Sequence, residues 1–277
     1  MKVTYQGVAG AYSHIAAKEI FPEAEYIACE TFEQATKLVE DGSADYAVIP
    51  VENSNAGRVS DVHFLLLRTG LSIISEHFLR VEHQLLGLQN SDINCISSAI
   101  SHPQALAQCS DFLEQHNIST EAKIDTAKSC KEILKLNNIH KAAIASKLAA
   151  EIYGLKILAS NIENSNNNPT RFLVMGPNPK IPDDDDSLFI TSCIFRTKSI
   201  PAALYKALGG FATNGINIVK LESYLINDKF LSARFYIEFE SHPQRQTFKN
   251  AFNELSFFAE DIQILGTYKS CKNRYEG

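Results

Sequence analysis

An α/β fold is what this sequence predicts, and three observations predict it. Over residues 1–178, apolar runs of strand length alternate with segments of helical periodicity. A stretch with three prolines and four consecutive aspartates, Gly176-Pro177-Asn178-Pro179-Lys180-Ile181-Pro182 followed by Asp183 to Asp186, then interrupts the alternation. Beyond it the elements follow the order βαββαβ, that of a ferredoxin-like domain. A chain of 277 residues is long for one domain. The expected division is two lobes around a cleft over residues 1–178, the second lobe at about 80–160, then a linker at 179–187 and a small domain at 188–277.

Val3-Thr4-Tyr5 is the first strand, and the pattern from Tyr12 to Ile20 places a helix after it. Thr31 to Val39 reads as a helix that feeds a buried strand, Asp45 to Val51. Ser60 suits the N-cap of a helix holding Phe64-Leu65-Leu66-Leu67, because its oxygen can accept an otherwise orphaned N–H. Ile73 to Leu88 alternates as one long strand. Ile96 to Ile100 is a further strand ending at Ser101-His102-Pro103, and Pro103 suits a first helical turn, where its missing N–H costs nothing. Thr126-Ala127-Lys128-Ser129 opens a capped helix after Lys123-Ile124-Asp125, and Lys141 to Tyr153 reads as a helix stopped by Gly154. Past the linker, Leu188 to Phe195, Ile216 to Leu221, Ala233 to Phe239 and Ile262 to Tyr268 are strands, and Pro201 to Ala212 and Gln244 to Leu255 are helices.

A net charge of −6 and the absence of any Lys/Arg cluster argue against nucleic acid or an anionic membrane as partner. No apolar run approaches the roughly 20 residues of a membrane span. Met1-Lys2-Val3-Thr4-Tyr5-Gln6-Gly7 enters a strand with no signal-like apolar segment, so a cytoplasmic protein is expected. Cysteines 29, 95, 109, 130, 193 and 271 form no CxxC pair, which points to reduced thiols, buried at Cys109 and Cys130. His14, His77, His83 and His102 fall at no metal-ligand spacing with carboxylates, and the aspartate run reads as a solvated charge run in a spacer. Neither metal nor cofactor is expected.

Two polar clusters stand at the ends of apolar runs. Tyr46-Ala47-Val48-Ile49-Pro50-Val51 breaks into Glu52-Asn53-Ser54-Asn55-Ala56-Gly57, and Asn168-Pro169-Thr170-Arg171 opens the run Phe172-Leu173-Val174-Met175. Ligands of open α/β sheets bind at such strand ends, and two ends far apart in sequence can face one cleft. Gly7-Val8-Ala9-Gly10-Ala11-Tyr12-Ser13 lies between a strand and a helix, where N–H groups and the helix dipole favour a carboxylate. It is not a P-loop, since no Lys-Ser/Thr pair follows its second glycine at the required spacing.

Five segments now stand in order: Tyr5 to Ser13, Pro50 to Gly57, Ser101-His102-Pro103-Gln104 through Gln108-Cys109, Asp125-Thr126-Ala127, and Asn168 to Phe172. Together they resemble prephenate dehydratase, and the part after the linker resembles the ACT domain that usually follows, with Leu221-Glu222-Ser223 at its ligand motif. The resemblance covers essentially the whole chain. It implies a catalytic region shaped like a two-lobed periplasmic binding protein. It also implies cofactor-free conversion of prephenate to phenylpyruvate, water and carbon dioxide on the route to phenylalanine. A homodimer or homotetramer is implied, with L-phenylalanine as effector.

Aromatisation drives that reaction. The protein must donate a proton to the departing hydroxyl, anchor two anions and leave the departing carboxylate poorly solvated. The resemblance puts Thr170 at the hydroxyl, as a donor within a polar network; the bland alternative is a β-branched residue starting a strand. Glu52, Asn53 and Gln108 complete the implied catalytic set, Asn53 offering both donor and acceptor and Glu52 ordering the network or setting its protonation. Gly10, Ala11, Tyr12, Ser13, Ser54, Ser101, Thr126, Ala127, Arg171 and Phe172 are the implied substrate-binding positions. Arg171 is either a bidentate carboxylate anchor or half of an ion pair. Asn53 and Ser54 equally suit a strand-end turn, Ser101 a helix cap, and Gln108 an exposed helical amide.

Relatives inhibited by phenylalanine carry a Gly-Ala-Leu turn and a Glu-Ser-Arg-Pro motif, whereas this chain has Ala202-Ala203-Leu204 and Glu222-Ser223-Tyr224-Leu225. Ala202 adds a methyl where close approach or positive φ is needed. The implied effector pocket is Ala202, Ala203, Leu204, Asn214, Asn217, Glu222 and Ser223, with weaker or altered binding of phenylalanine. Two other readings stand beside this one. Arogenate dehydratase is one, since no residue in the sequence separates the two substrates. A non-catalytic two-lobed amino-acid-sensing protein is the other, against which Thr170-Arg171-Phe172 argues.

Overall fold

The computed structural model describes residues 1–165, 167–177, 181–226 and 229–274; the side chains at 60, 61, 63, 225, 226 and 229–233 lie outside the described set. By contact the chain divides into a unit made of Met1–Leu65 and His77–Leu173, and a unit made of Leu66–Glu76 and the chain from Val174 onward.

The chain opens with β1 (Lys2–Gln6), α1 (Tyr12–Ile20), β2 (Glu25–Cys29), α2 (Phe32–Glu40), β3 (Tyr46–Asn53), β4 (Gly57–Arg58), α3 (Ser60–Leu66) and β5 (Ser72–Arg80), the last of which starts in the smaller unit and ends in the larger. The second lobe follows: β6 (Gln84–Gly87), β7 (Ser98–Ser101), α4 (Pro103–Gln108), α5 (Ser110–Gln115), β8 (Ser119–Ala122), α6 (Thr126–Leu136), β9 (Lys141–Ala145), α7 (Lys147–Tyr153) and β10 (Lys156–Ala159). The chain then returns to the first sheet as β11 (Pro169–Gly176). The first sheet runs β2-β1-β3-β11-β5 with β4 paired to β3, and the second runs β10-β6-β9-β7-β8. Each sheet mixes parallel and antiparallel pairs, for β3 is parallel to β1 and antiparallel to β4, while β9 is parallel to β7 and antiparallel to β6. Among the described residues no helix is long and apolar enough to cross a membrane.

Local chemistry accounts for the helix ends. Thr31 accepts from the N–H of Gln34, Asp125 from Lys128 and Ser146 from Ala149, each satisfying an orphan donor. Gly154 ends α7 with φ of +64°, a conformation glycine adopts without a Cβ clash. Asp125 is therefore the cap of α6, which starts at Thr126 as expected, and Ser60 is the first residue of α3 with its side chain outside the described residues.

Two expectations fail for tertiary reasons. The run Ile73 to Leu88 breaks at Val81-Glu82-His83, because there the chain leaves the first sheet for the second. The N–H of Val81 bonds to the Asn168 carbonyl at 3.0 Å, and the N–H of His83 to Glu163 Oε2 at 2.8 Å. Residues 141–145 are a strand, not the start of a helix: Ala142, Ala143, Ile144 and Ala145 are fully buried on β9 between β6 and β7. A block buried on both faces carries no alternation to betray a strand. The strand expected from Ile96 begins at Ser98, after a 3₁₀ turn at Ile93–Cys95.

The smaller unit contains β12 (Phe189–Thr197), α8 (Ala203–Thr213), β13 (Ile218–Ile226), β14 (Lys229–Glu240), α9 (Gln246–Phe258) and β15 (Ala259–Lys269). Its antiparallel sheet has the order β13-β14-β12-β15, so βαββαβ is the order observed. Cys193, Phe195, Ile237 and Phe239 of the sheet pack against Ala207 and Phe211 of α8 and Phe248, Ala251 and Leu255 of α9. The aspartate run is anchored rather than simply solvated. Asp184 takes two hydrogen bonds from Arg245, at 2.9 and 2.6 Å, and Asp185 pairs with Lys269.

Candidate active site

Asn53 ends β3, and its side-chain oxygen turns back to accept the N–H groups of Asn55 (3.1 Å) and Ala56 (3.0 Å). This Asx turn sets the amide. Nδ2 then points away from the turn, donating to Asn168 Oδ1 at 2.8 Å and Thr170 Oγ1 at 2.9 Å. Asn53 is buried and Thr170 half-buried. The N–H of Ser54 adds a backbone bond to the Pro169 carbonyl at 3.0 Å, so the two strand ends meet as the sequence expects.

The second lobe reaches the same point through α4. Gln108 donates from Nε2 to Asn168 Oδ1 at 3.3 Å and presents Oε1 to His83 Nε2 at 2.8 Å. His83 Nδ1 lies 2.7 Å from the hydroxyl of Tyr12, which is 2.9 Å from the Glu82 carbonyl. One hydrogen-bonded chain thus joins Tyr12, His83, Gln108, Asn168, Asn53 and Thr170. Burial lowers the pKa of His83 against the opposing effects of Gln108 and Glu163, and burial drives that of Tyr12 well up. Asn55, Gln104, Gln108, Glu163 and Asn168 line a cavity of about 330 Å³ beside this chain. Asn168 Nδ2 and Glu163 Oε1 are buried with no hydrogen-bond partner among the described residues. A larger cavity, about 580 Å³, is lined by Tyr12, Lys18, Phe78, Arg80 and Lys147; Thr170 and Asn53 line neither cavity, Gln108 lines the smaller and Tyr12 the larger.

Arg171 is 2% exposed and donates to Glu52 Oε1 at 3.0 Å, with its guanidinium 5.9 Å from the Phe78 ring centroid. This contact is an ion pair with Glu52. The loop before α1 is also more committed than its sequence suggests. The N–H of Gly10 bonds to His14 Nδ1 at 3.1 Å and that of Ala11 to the Val8 carbonyl at 3.0 Å, so neither is open to a carboxylate. Its carbonyls are held from α7: Ser146 Oγ donates to Gly10 at 2.6 Å and the Tyr153 hydroxyl to Ala9 at 2.8 Å. Ala11 and Ala127 lie in one core cluster, Ser13 is buried, and Thr126 is half-buried at the start of α6. Ser101 does not cap α4; His102 does, and Ser101 Oγ donates to the Ile144 carbonyl at 2.6 Å. Phe172 is a core residue at 1% exposure, while Ser54 is exposed. Burial pushes the Cys130 thiol up to about 12 and raises that of Cys109 as well, consistent with inert thiols.

Sequence reasoning set His83 aside with the other histidines. The signal available was its place at the junction of the two lobes, and the unbroken alternation from Ile73 to Leu88 concealed it.

In the smaller unit, Ala202 caps α8 with φ of +57° and ψ of 31°, the positive φ that its sequence context suggested. Ala203 and Leu204 open the helix, and Asn214 closes it, its Nδ2 bonding to the Gly210 carbonyl at 2.8 Å. Asn217 and Ser223 are exposed. Glu222 accepts the Tyr224 hydroxyl at 2.7 Å and lies 3.1 Å from Lys220 Nζ.

A family model described as prephenate dehydratase matches residues 3–180, the stretch that carries the whole hydrogen-bonded chain. This chain belongs to the prephenate dehydratase family. It is 40% identical over 266 residues to a bifunctional N-acyl-homoserine lactone acylase/prephenate dehydratase of Komagataeibacter europaeus, covering 96% of this chain and 95% of that one. It is 39% identical over 277 residues to arogenate dehydratase/prephenate dehydratase 2, chloroplastic, of Arabidopsis thaliana, covering 97% and 72%. A solved prephenate dehydratase from Arthrobacter aurescens, in complex with L-Phe, matches with a TM-score of 0.90 at 25% identity, covering 97% and 90%. As a prephenate dehydratase family member the chain is a lyase that dehydrates and decarboxylates.

Proposed function

We propose that the chain converts prephenate to phenylpyruvate in the cytoplasm, with Thr170 as hydrogen-bond donor to the departing ring hydroxyl. The observation that carries this reading is the bond from Asn53 Nδ2 into Thr170 Oγ1 at 2.9 Å, which fills an acceptor site and leaves the threonine proton to donate outward. The electron pair of the breaking C–CO₂ bond moves through the cyclohexadiene to expel the hydroxyl. Carbon dioxide leaves, and the hydroxyl departs as water with one proton. Thr170 steadies the developing hydroxide and passes that proton from solvent. The Glu52–Arg171 pair ties the end of β3 to the start of β11 and so holds Asn53 beside Thr170. The first-turn N–H groups of α6, at Thr126 and Ala127, serve a substrate carboxylate.

Arogenate is the second reading, since relatives such as the Arabidopsis thaliana arogenate dehydratase/prephenate dehydratase 2 carry both names. Purified protein incubated with each substrate decides between them: phenylpyruvate from prephenate supports the first reading, and phenylalanine from arogenate alone supports the second. In either case Thr170→Ala loses roughly 10²–10⁴-fold in kcat and Thr170→Ser retains more, whereas near-wild-type turnover by the alanine variant refutes the role of Thr170.

The smaller unit is proposed to be an ACT domain that binds L-phenylalanine weakly, as the Arthrobacter relative was solved with that ligand and Glu222 is here already engaged by Tyr224 and Lys220. Its edge strands β13 and β15 expose Leu221 and Ile264, which suits pairing into a homodimer or homotetramer. Calorimetric titration with phenylalanine and sedimentation at micromolar concentration test these two statements.

A further inference from the structure

We propose that His83 is a positioning residue for Thr170: its Nε2–H at one end, and the Asn55 and Ala56 N–H groups at the other, fix which way the amides of Gln108, Asn168 and Asn53 face, the two ends meeting at Asn168 Oδ1. This rests on the reading of Thr170 as the donor to substrate.

The polarity follows step by step from the backbone. Asn55 and Ala56 present N–H groups, which only donate, so Asn53 must offer them its oxygen. Asn53 Nδ2 therefore faces Asn168 and Thr170, and Asn168 must answer with Oδ1. That oxygen is also the one Gln108 approaches, so Gln108 presents Nε2 to it and turns Oε1 toward His83. A carbonyl oxygen only accepts, so His83 Nε2 carries a proton. A flip at any amide would set donor against donor or acceptor against acceptor in a region where Asn168 is 1% and His83 2% exposed.

The far side of the ring accommodates either charge state. In the neutral ring, Nδ1 is bare and takes the Tyr12 proton across 2.7 Å. In the charged ring, Nδ1–H donates to the Tyr12 oxygen and the hydroxyl turns to the Glu82 carbonyl at 2.9 Å. Around His83 stand Tyr12 from α1, Gln108 from α4 and Glu163, whose carboxylate accepts the His83 backbone N–H at 2.8 Å. Nε2–H faces Gln108 in both states, so Gln108 keeps its Nε2 on Asn168 Oδ1. Asn168 Oδ1 accepts from Gln108 on one side and Asn53 on the other, so Gln108 helps hold the oxygen against which Asn53 Nδ2 is set. Asn53 in turn fills an acceptor site of Thr170 and leaves its hydroxyl proton to donate.

The test compares wild type, His83→Asn and His83→Gln with whichever of prephenate and arogenate the enzyme turns over. A glutamine amide reaches the place of Nε2 and restores its donor, whereas asparagine reaches only the place of Nδ1. His83→Asn is expected to lower kcat roughly 10–100-fold while KM changes by less than about threefold, and His83→Gln to recover most of that loss. Nitrogen NMR of histidine-labelled wild-type protein at neutral pH is expected to find His83 protonated at Nε2 and bare at Nδ1. Wild-type kcat in His83→Asn, equal losses in both variants, or the opposite tautomer overturns the proposal. If His83→Asn fails to fold, the tautomer and the His83→Gln rate decide. An active Thr170→Ala would instead refute the reading of Thr170, and the tautomer would still judge the polarity by itself.

Discussion

Gly10→Ala is the sharpest test of how the loop before α1 is held. Gly10 has φ of +88°, and a Cβ there would lie 2.7 Å from Ala149 Cα, 2.8 Å from Ala149 Cβ and 3.2 Å from Ala149 N. Positive φ costs an L-residue about 1–2 kcal/mol. The overlap is with backbone and with a stubby side chain on α7, which cannot rotate away, so overpacking adds about 1–3 kcal/mol. The lower unfolded-state entropy of alanine returns about 0.4–1 kcal/mol. The net expectation is a destabilisation of roughly 2–4 kcal/mol, read as a lower urea midpoint at unchanged slope. Gly42→Ala is the control, because Gly42 has φ of +77° but nothing within 4 Å of its would-be Cβ. The difference between the two variants isolates the contact with Ala149. Relief of the overlap would push the loop off α7, stretching the Ser146 and Tyr153 bonds and shifting Tyr12 two residues on, so kcat should fall as well. Equal midpoints for Gly10→Ala and Gly42→Ala would refute the packing argument.

Three further outcomes follow from particular contacts. Glu52→Ala takes an acceptor from the buried Arg171 and should lower stability by about 1–3 kcal/mol, less than for a fully buried pair because the Glu52 side chain is 33% exposed; urea unfolding measures it. Ala202→Gly relieves an alanine held at φ +57° and should leave stability unchanged or raise it by up to about 1 kcal/mol, while calorimetry should find tighter phenylalanine binding. Lys269 holds the Asp185 carboxyl down from 3.8 to about 2, so its stabilisation is present above pH about 4 and is lost as pH falls toward 2. Asp185→Asn should therefore remove that stabilisation at neutral pH, a small loss because the pair is exposed, and leave stability near pH 2 unchanged, so that urea midpoints measured against pH show a flatter acid limb.

What could be read from the chain was local chemistry. Tyr12 to Ile20 carries its own helical pattern, Thr31 and Ser146 are caps that satisfy N–H groups three residues away, and the βαββαβ order is a succession of short-range patterns. The polar clusters at Glu52 to Gly57 and Asn168 to Arg171 were legible because polar groups at the ends of apolar runs are conspicuous, and they do meet. Tertiary structure decided the rest. Ala142 to Ala145 became a strand because β6 and β7 flank it, and Val81 to His83 broke a regular alternation because the chain changes sheets there. Arg171 found its carboxylate in Glu52, 119 positions away. The direction of the side-chain hydrogen bonds was also beyond the sequence. An amide can face either way until a partner that only donates or only accepts stands against it, and for Gln108 and Asn168 those constraints begin in a turn and at a histidine that folding alone brings near.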